Sequence, residues 1–313
     1  MKILITGGAG YLGTELVKSL SKDENISEII IYDNLARKNY NLFITATKLS
    51  SKIRVVDAEL LDSRTLRKEV KNSDVVYHLA AKVSTPHADQ DPHLFEQTNH
   101  WGTAELTYAL EDSGVKKIIF ASSASVYGAG DKSYTEEDHL NPRTFYAISK
   151  MRAEKQLRRL TSKLDTYIFR LGNIYGYSPS VRFDAVINKF MLNAHLFNKI
   201  DVHGDGNQKR AFIQIEKASK VLHNALYDGL KPGTYNVAEG NYSIKEIVNH
   251  LKRLYPDLET KYINQHLQLR NLTIEASPEL KSLGWIDKTE LEEELRKFQT
   301  KFALSPNEIL VES

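Results

Sequence analysis

Tyr146 and Lys150 stand four residues apart in the run Tyr146-Ala147-Ile148-Ser149-Lys150. On a helix this spacing puts both side chains on one face. An ammonium beside a phenol favours the phenolate and lowers a tyrosine pKa that starts near ~10. The pair is then a base usable at neutral pH. Upstream, an apolar run from Ile118 to Phe120 passes into hydroxyls at Ser122, Ser123 and Ser125. A hydroxyl there can hydrogen-bond the substrate oxygen that gains or loses a proton. Tyrosine and lysine at this spacing occur on many helix surfaces, so the pair takes its meaning from what surrounds it.

The chain begins with an apolar run and then Thr6-Gly7-Gly8-Ala9-Gly10-Tyr11-Leu12-Gly13. A glycine cluster between a strand and a helix is the setting of a dinucleotide site. Two spacings overlap: Gly8, Gly10 and Gly13 fit GxGxxG, while Gly7, Gly10 and Gly13 fit GxxGxxG. In either, the first glycine permits a tight turn, Gly10 lets backbone approach a pyrophosphate, and Gly13 allows close helix–strand packing. The helix N-terminus then holds the phosphate. Asp33 follows Gly13 by 20 residues, where a carboxylate accepts from ribose hydroxyls and repels a 2′-phosphate. This favours NAD over NADP. Arg37 and Lys38 come just after it, and Asp57 ends another apolar run, placed to accept from an adenine amine.

The elements that must position these groups alternate. Ile3–Ile5, Ile29–Tyr32, Ile53–Val56, Val75–Leu79, Ile118–Phe120 and Tyr167–Leu171 read as strands. Nearly continuous Val/Ile/Leu runs suit parallel strands buried on both faces. Helices are expected over about 94–113, stopping at Gly114, and about 144–163. The pattern predicts an α/β fold, a right-handed doubly wound Rossmann-type sheet of about six or seven strands. Beyond Leu171 the texture is loop-rich, with a helical patch near 183–197, a helix near 216–227, a strand at Tyr235–Val237 and a mostly helical tail from Ser243. The expected division is a cofactor domain over 1–172 with a return segment near 211–238, and a smaller, mostly helical substrate domain over 173–210 and 239–313.

Composition narrows the chemistry further. The 313 residues are 41% hydrophobic and 26% charged, as in folded globular proteins. There is no cysteine, which excludes disulfides, thiolate metal sites, iron–sulfur clusters and a cysteine nucleophile. Lys+Arg 42 against Asp+Glu 40 gives +2, no support for a nucleic-acid or anionic-membrane surface. A local basic pocket is compatible with that balance. No window reaches the ~18 apolar residues of a membrane span, and no secretory signal opens the chain. The cytoplasm is the expected location. His87, His93 and His100 lie six and seven residues apart, unlike zinc-ligand spacing on a helix, and no metal is expected.

With these motifs in place, the chain resembles the extended short-chain dehydrogenase/reductases of the NAD-dependent nucleotide-sugar epimerase/dehydratase group. The segments that carry the resemblance are TGGAGYLG (6–13), YDNL (32–35), HLAA (78–81), NHWGT (99–103), SSASVYG (122–128), NPRTFYAISK (141–150), RLGNIYG (170–176), GDGNQKRAF (204–212) and LGW (283–285). The resemblance implies that Tyr146 is the base and that Lys150 holds the nicotinamide ribose. It implies that Ser123 is the catalytic hydroxyl and that Asn99 lies near the nicotinamide. Tyr11, Leu12, Asn34, Ala80 and Ala81 fall in the segments implied to contact cofactor. Asn173 and Arg210 match substrate-contacting positions, the arginine neutralising a nucleotide diphosphate. Two departures stand out: Arg210-Ala211-Phe212 replaces the usual Arg-Asp-Phe, and residues 263–267 lack a second arginine, with Arg270 the nearest.

The implied substrate is a nucleotide-diphosphate sugar, and the leading reading is a C4 epimerase resembling UDP-glucose 4-epimerase. Dehydratases of the group carry Asp-Glu directly after the catalytic Thr, where this chain has Ala124-Ser125. Reductases usually prefer NADPH, which Asp33 disfavours. A non-catalytic sensor would be expected to lose the Tyr146–Lys150 pair. Family members dimerise through the helices near 94–113 and 144–163, and Leu106, Leu110, Leu157 and Leu160 supply apolar surface for such a homodimer.

Overall fold

In a computed structural model, the structure describes residues 1–38, 40–44, 52–83, 91–227, 229–263 and 271–303. Along the chain come β1 (Lys2–Thr6), α1 (Tyr11–Leu20), β2 (Glu28–Asp33), β3 (Ile53–Asp57), α2 (Ser63–Lys71) and β4 (Val75–His78). Next is α3 (Pro92–Phe95), which runs through a π-helical turn at Glu96–Trp101 into α4 (Gly102–Glu111). Then follow β5 (Lys117–Ser123), β6 (Ser133–Tyr134), α5 (Phe145–Leu157), β7 (Asp165–Leu171) and β8 (Asn173–Tyr175). The remainder holds α6 (Val186–Phe197), β9 (Lys199–His203), β10 (Lys209–Gln214), α7 (Ile215–Asn224), β11 (Gly233–Val237) and β12 (Gly240–Ser243). It ends with α8 (Ile244–Leu254), β13 (Glu259–Ile263), β14 (Thr273–Ile274), α9 (Pro278–Ser282) and α10 (Leu291–Gln299).

Seven strands form one parallel sheet in the order β11-β7-β5-β4-β1-β2-β3. Side chains of successive strand residues leave opposite faces. Ile3, Ile5, Ile29 and Ile31 accordingly pack with α1 and α7 on one side. Leu4, Ile30 and Tyr32 pack with α2, α4 and α5 on the other. Both faces are covered, which is why β1 and β2 read as unbroken apolar runs. From β1 the chain winds outward to β2 and β3, then returns to β4 on β1's other side. That reversal opens a crevice at the carboxyl ends of β1 and β4, where doubly wound sheets bind ligands.

Some expectations change. Leu106, Leu110, Leu157 and Leu160 are at most 1% exposed and belong to the core beneath α4 and α5. They are not a dimer face, because the stripe that marks a docking helix is the same stripe that marks core packing. The exposed aromatics on and beside these helices are Trp101, Tyr108 and Phe145. The stretch after Leu171 contains strands as well as loops: β10 pairs with β8 and β12 in a separate small sheet, and β9 pairs with β13. Residues 209–214 therefore join the small sheet, and the return to the main sheet is β11. A further apolar cluster joins α6, α8 and α10 through Ile187, Met191, Ile247, Leu251, Leu295 and Phe298. We call this part the cap. No helix among the described residues is long and apolar enough to cross a membrane.

Candidate active site

A cleft of about 1190 Å³ runs across the carboxyl ends of the sheet and under the cap. Its floor is the glycine loop. Gly7 has φ +72, and a Cβ there would sit 2.5 Å from the Ala80 amide nitrogen. A Cβ on Gly13 would overlap the Gly7 carbonyl oxygen, so the close approach is helix to loop. Gly7, Gly10 and Gly13 line the cleft with Tyr11 and Leu12, whereas Gly8 packs towards Ile31. The GxxGxxG spacing is thus the one that shapes the site. Gly10 caps α1 without a side chain, leaving the helix's first amides open to an anion.

Asp33 ends β2 at the wall of this loop. Its carboxylate accepts from the Ala9 amide at 3.0 Å and the Leu35 amide at 2.9 Å. Burial pushes its pKa up against those two bonds. Asn34 lines the same wall and donates to Glu59 at 2.9 Å. Ala80 and Ala81 line the opposite wall after β4. Asp57 is exposed at the end of β3, and its neighbours Ala58 and Glu59 line the cleft instead.

At the centre, Ser123 ends β5, while Tyr146 and Lys150 lie in the first turns of α5, which Thr144 caps at the Ala147 amide. All three residues line the cleft. The Ser123 oxygen accepts from the Ser125 hydroxyl at 2.9 Å. Burial raises the Tyr146 pKa, opposed by a hydrogen bond with Ser123 and the charge of Arg182. Lys150 points elsewhere. Its Nζ donates to the Ala121 carbonyl at 2.5 Å and lies 4.1 Å from the Phe120 ring centroid. Burial lowers the Lys150 pKa to about 7, with Glu154 acting in the opposite direction. The expected lowering of the tyrosine by the lysine is not found: Ser123 and Arg182 are what oppose its burial. Desolvation of the phenol dominates, and the ammonium is turned to the strand.

Asn99 is buried outside the cleft lining, at 1% exposure. Its Oδ1 accepts from the Lys82 amide at 2.7 Å, and its Nδ2 donates to the Lys82 carbonyl and the Ser149 hydroxyl, each at 2.9 Å. It braces the loop after β4 against α5. The π-helical turn carries it, a feature often found beside functional sites. Asn173 is exposed on the cap side, donating to the Ala211 carbonyl at 3.0 Å. Arg210 lines the same end with Lys189, Asp201 and His203, and burial lowers its pKa. His87 and the stretch 264–270, which includes Arg270, lie outside the described residues.

The family model for the NAD dependent epimerase/dehydratase family matches residues 3–238. This chain belongs to that family. A dTDP-D-glucose 4,6-dehydratase of Dictyostelium discoideum is 31% identical, over 75% of this chain and 58% of its own length. The UDP-N-acetylglucosamine 4-epimerase of Methanobrevibacter ruminantium M1, in complex with UDP-N-acetylmuramic acid, superposes with a TM-score of 0.82 at 27% identity. That match covers 96% of this chain and 97% of the other. MoeE5 in complex with UDP-glucose and NAD gives 0.80 at 25% identity, covering 96% and 98%. The family is NAD-dependent, and the glycine cradle, the open α1 terminus and Asp33 fit that cofactor.

In this epimerase/dehydratase family member, a buried polar chain links Thr6, at the end of β1, to the backbone of Tyr146. Thr6 Oγ1 meets His78 Nδ1 at 2.7 Å, and His78 Nε2 meets Thr103 Oγ1 at 2.8 Å. Thr103 donates to the Asn99 carbonyl, Asn99 to Ser149, and Ser149 to the Tyr146 carbonyl at 2.8 Å. Burial and the charge of Lys150 lower the His78 pKa to about 3, so its ring is neutral. Sequence reasoning missed His78, Thr103, Ser149, Glu154 and Arg170. His78, Thr103, Ser149 and Arg170 lie inside the family-like segments, but nothing local marks them as links. Among the described residues no group of three or more His, Asp or Glu is placed to hold a metal ion.

Proposed function

We propose that the protein epimerises a nucleotide-activated sugar through transient oxidation, with C4 as the inverted carbon. The observation that carries this reading is the make-up of the reacting centre. It offers one phenol, Tyr146, one partnered hydroxyl, Ser123, and one amine, Lys150. The carboxylates among the described lining residues, Asp33, Glu59, Asp184 and Asp201, come from other stretches of the cleft wall. Ala124 and Ser125 follow Ser123, so no acid pair stands there to eliminate water.

Residues 1–172 and the return through β11 bind the cofactor on this reading, while the cap binds the sugar nucleotide. The cofactor supplies hydride acceptance and return when bound. Tyr146 takes the proton of the sugar hydroxyl and gives it back. Ser123 holds that oxygen in hydrogen-bond reach of the phenol. Asn173 and Arg210 hold the nucleotide end, the guanidinium facing the diphosphate.

The test is a panel of UDP-, dTDP-, GDP- and CDP-sugars with product followed by NMR. An epimer without loss of water supports the reading. A 4-keto-6-deoxy product identifies a dehydratase instead, the activity named for the Dictyostelium relative.

A further inference from the structure

The loop after β2 and the loop after β8 meet across the cleft through three charges. Arg182 holds Asp184 by two bonds, Nε to Oδ1 at 3.1 Å and Nη2 to Oδ2 at 2.8 Å. Arg37 Nη2 reaches the same Oδ2 from the other loop at 4.0 Å. All three residues line the cleft.

Other contacts fix this arrangement over the start of α1. The Tyr11 hydroxyl donates to the Gly176 carbonyl at 2.5 Å. Asn188 donates to that hydroxyl at 3.1 Å and to the Arg182 carbonyl at 3.0 Å. Thr14 and Ser180 share a hydrogen bond at 2.7 Å, and Asn41 donates to the Pro179 carbonyl at 2.5 Å. The cap loop 176–188 is thereby pinned above the helix terminus that the glycine loop opens. The charge of Arg182 favours the ionised form of both Tyr11 and Tyr146, against the burial that dominates at each. The turn bearing Arg37 is strained: Leu35 and Lys38 adopt φ 51 and φ 52, left-handed values rare for such residues. Strain of this kind persists where surrounding contacts enforce it and clusters at ligand clamps.

We propose that Arg37 and Arg182 form a two-arginine roof for the diphosphate of the dinucleotide, with Asp184 holding the place of that anion between them. The first amides of α1 would hold the diphosphate on one side and the two guanidiniums on the other. Guanidinium groups suit this task because their donors match phosphate geometry in pairs. The assignment rests on the family's NAD and is independent of which sugar is turned over.

Displacement of bound NAD by ADP-ribose, adenosine or UDP tests it, in the wild type and in the Arg37→Gln, Arg182→Gln and Asp184→Asn variants. Each arginine variant is expected to bind ADP-ribose about tenfold more weakly, with a shallower salt dependence and adenosine unchanged. Asp184→Asn removes the competing carboxylate and is expected to bind ADP-ribose severalfold more tightly, with a steeper salt dependence. Unchanged ADP-ribose affinity in both arginine variants overturns the proposal. So does a parallel loss of adenosine binding, a response confined to UDP, or a weakening in Asp184→Asn. Epimerase assays need not be run, so a wrong sugar leaves this outcome untouched.

Discussion

Lys150 gives its side-chain hydrogen bond to the carbonyl of Ala121, at 2.5 Å. The bond turns the amine to β5 and away from the phenol one helical turn earlier. The same buried position lowers its pKa to about 7 from the ordinary 10.5. Burial thus favours the neutral form of both Tyr146 and Lys150.

This has a sign that can be measured. Between about pH 7 and 10.5 the folded protein binds fewer protons at Lys150 than the unfolded chain does. Stability then rises with pH across that window. The stability of the wild type minus that of Lys150→Met is expected to increase from pH 7 to pH 10 in chemical denaturation. A flat difference would mean that the amine stays charged throughout.

Tyr146→Phe removes the hydroxyl proposed to accept the proton and keeps the ring, whose centroid lies 6.2 Å from that of Phe95. We expect kcat to fall by about 10²–10⁴-fold. NAD binding, followed by fluorescence, should stay within a few-fold. Loss of both together would point to a folding defect.

Glu154 is 1% exposed on α5 and holds Arg170 of β7 through Nε at 3.1 Å and Nη2 at 2.8 Å. Glu154→Gln leaves a buried guanidinium without its counter-charge, a change that costs about 3–5 kcal/mol. Glu154 also raises the Lys150 pKa, so the substitution is expected to move that group's titration to lower pH. Urea denaturation reads the first effect. NMR titration of the lysine reads the second.

Gly13→Ala places a methyl group against the Gly7 carbonyl and the backbone of Gly8. Backbone on both sides gives it nowhere to go. NAD affinity should drop by at least about tenfold, and stability by about 1–3 kcal/mol. Calorimetric titration and thermal unfolding of the same preparation separate the two.

The strands were legible where burial on both faces wrote itself into consecutive residues, as in Ile29–Tyr32. The cleft residues Ser123, Tyr146, Asp33 and Gly7 were legible because type and spacing coincided. Side-chain direction was not. Nothing in Tyr146–Lys150 tells which neighbour the amine prefers, since that depends on Ala121, 29 residues upstream. The π-helical turn under Asn99 had no marker either, because it reflects a local misfit and no residue type encodes one. The β9 pattern, Lys199–His203, does alternate exposed and buried residues, but it is five residues long and follows a helix. The Glu154–Arg170 pair needed the packing of α5 on β7, which sequence alone does not provide. The buried leucines of α4 and α5 show the converse, a clear signal with two structural meanings.

The end of β5 engages α5 through three consecutive residues. Ala121 takes Lys150, Ser122 donates to Glu154 at 2.6 Å, and Ser123 meets Tyr146. Their partners stand two helical turns apart on α5, so the two serines hold different posts despite being chemically identical. Ser122 is tied to a buried carboxylate and Ser123 to the phenol in the cleft. Sliding the strand by one position would trade their partners without altering composition. What distinguishes the two is their address, not their kind.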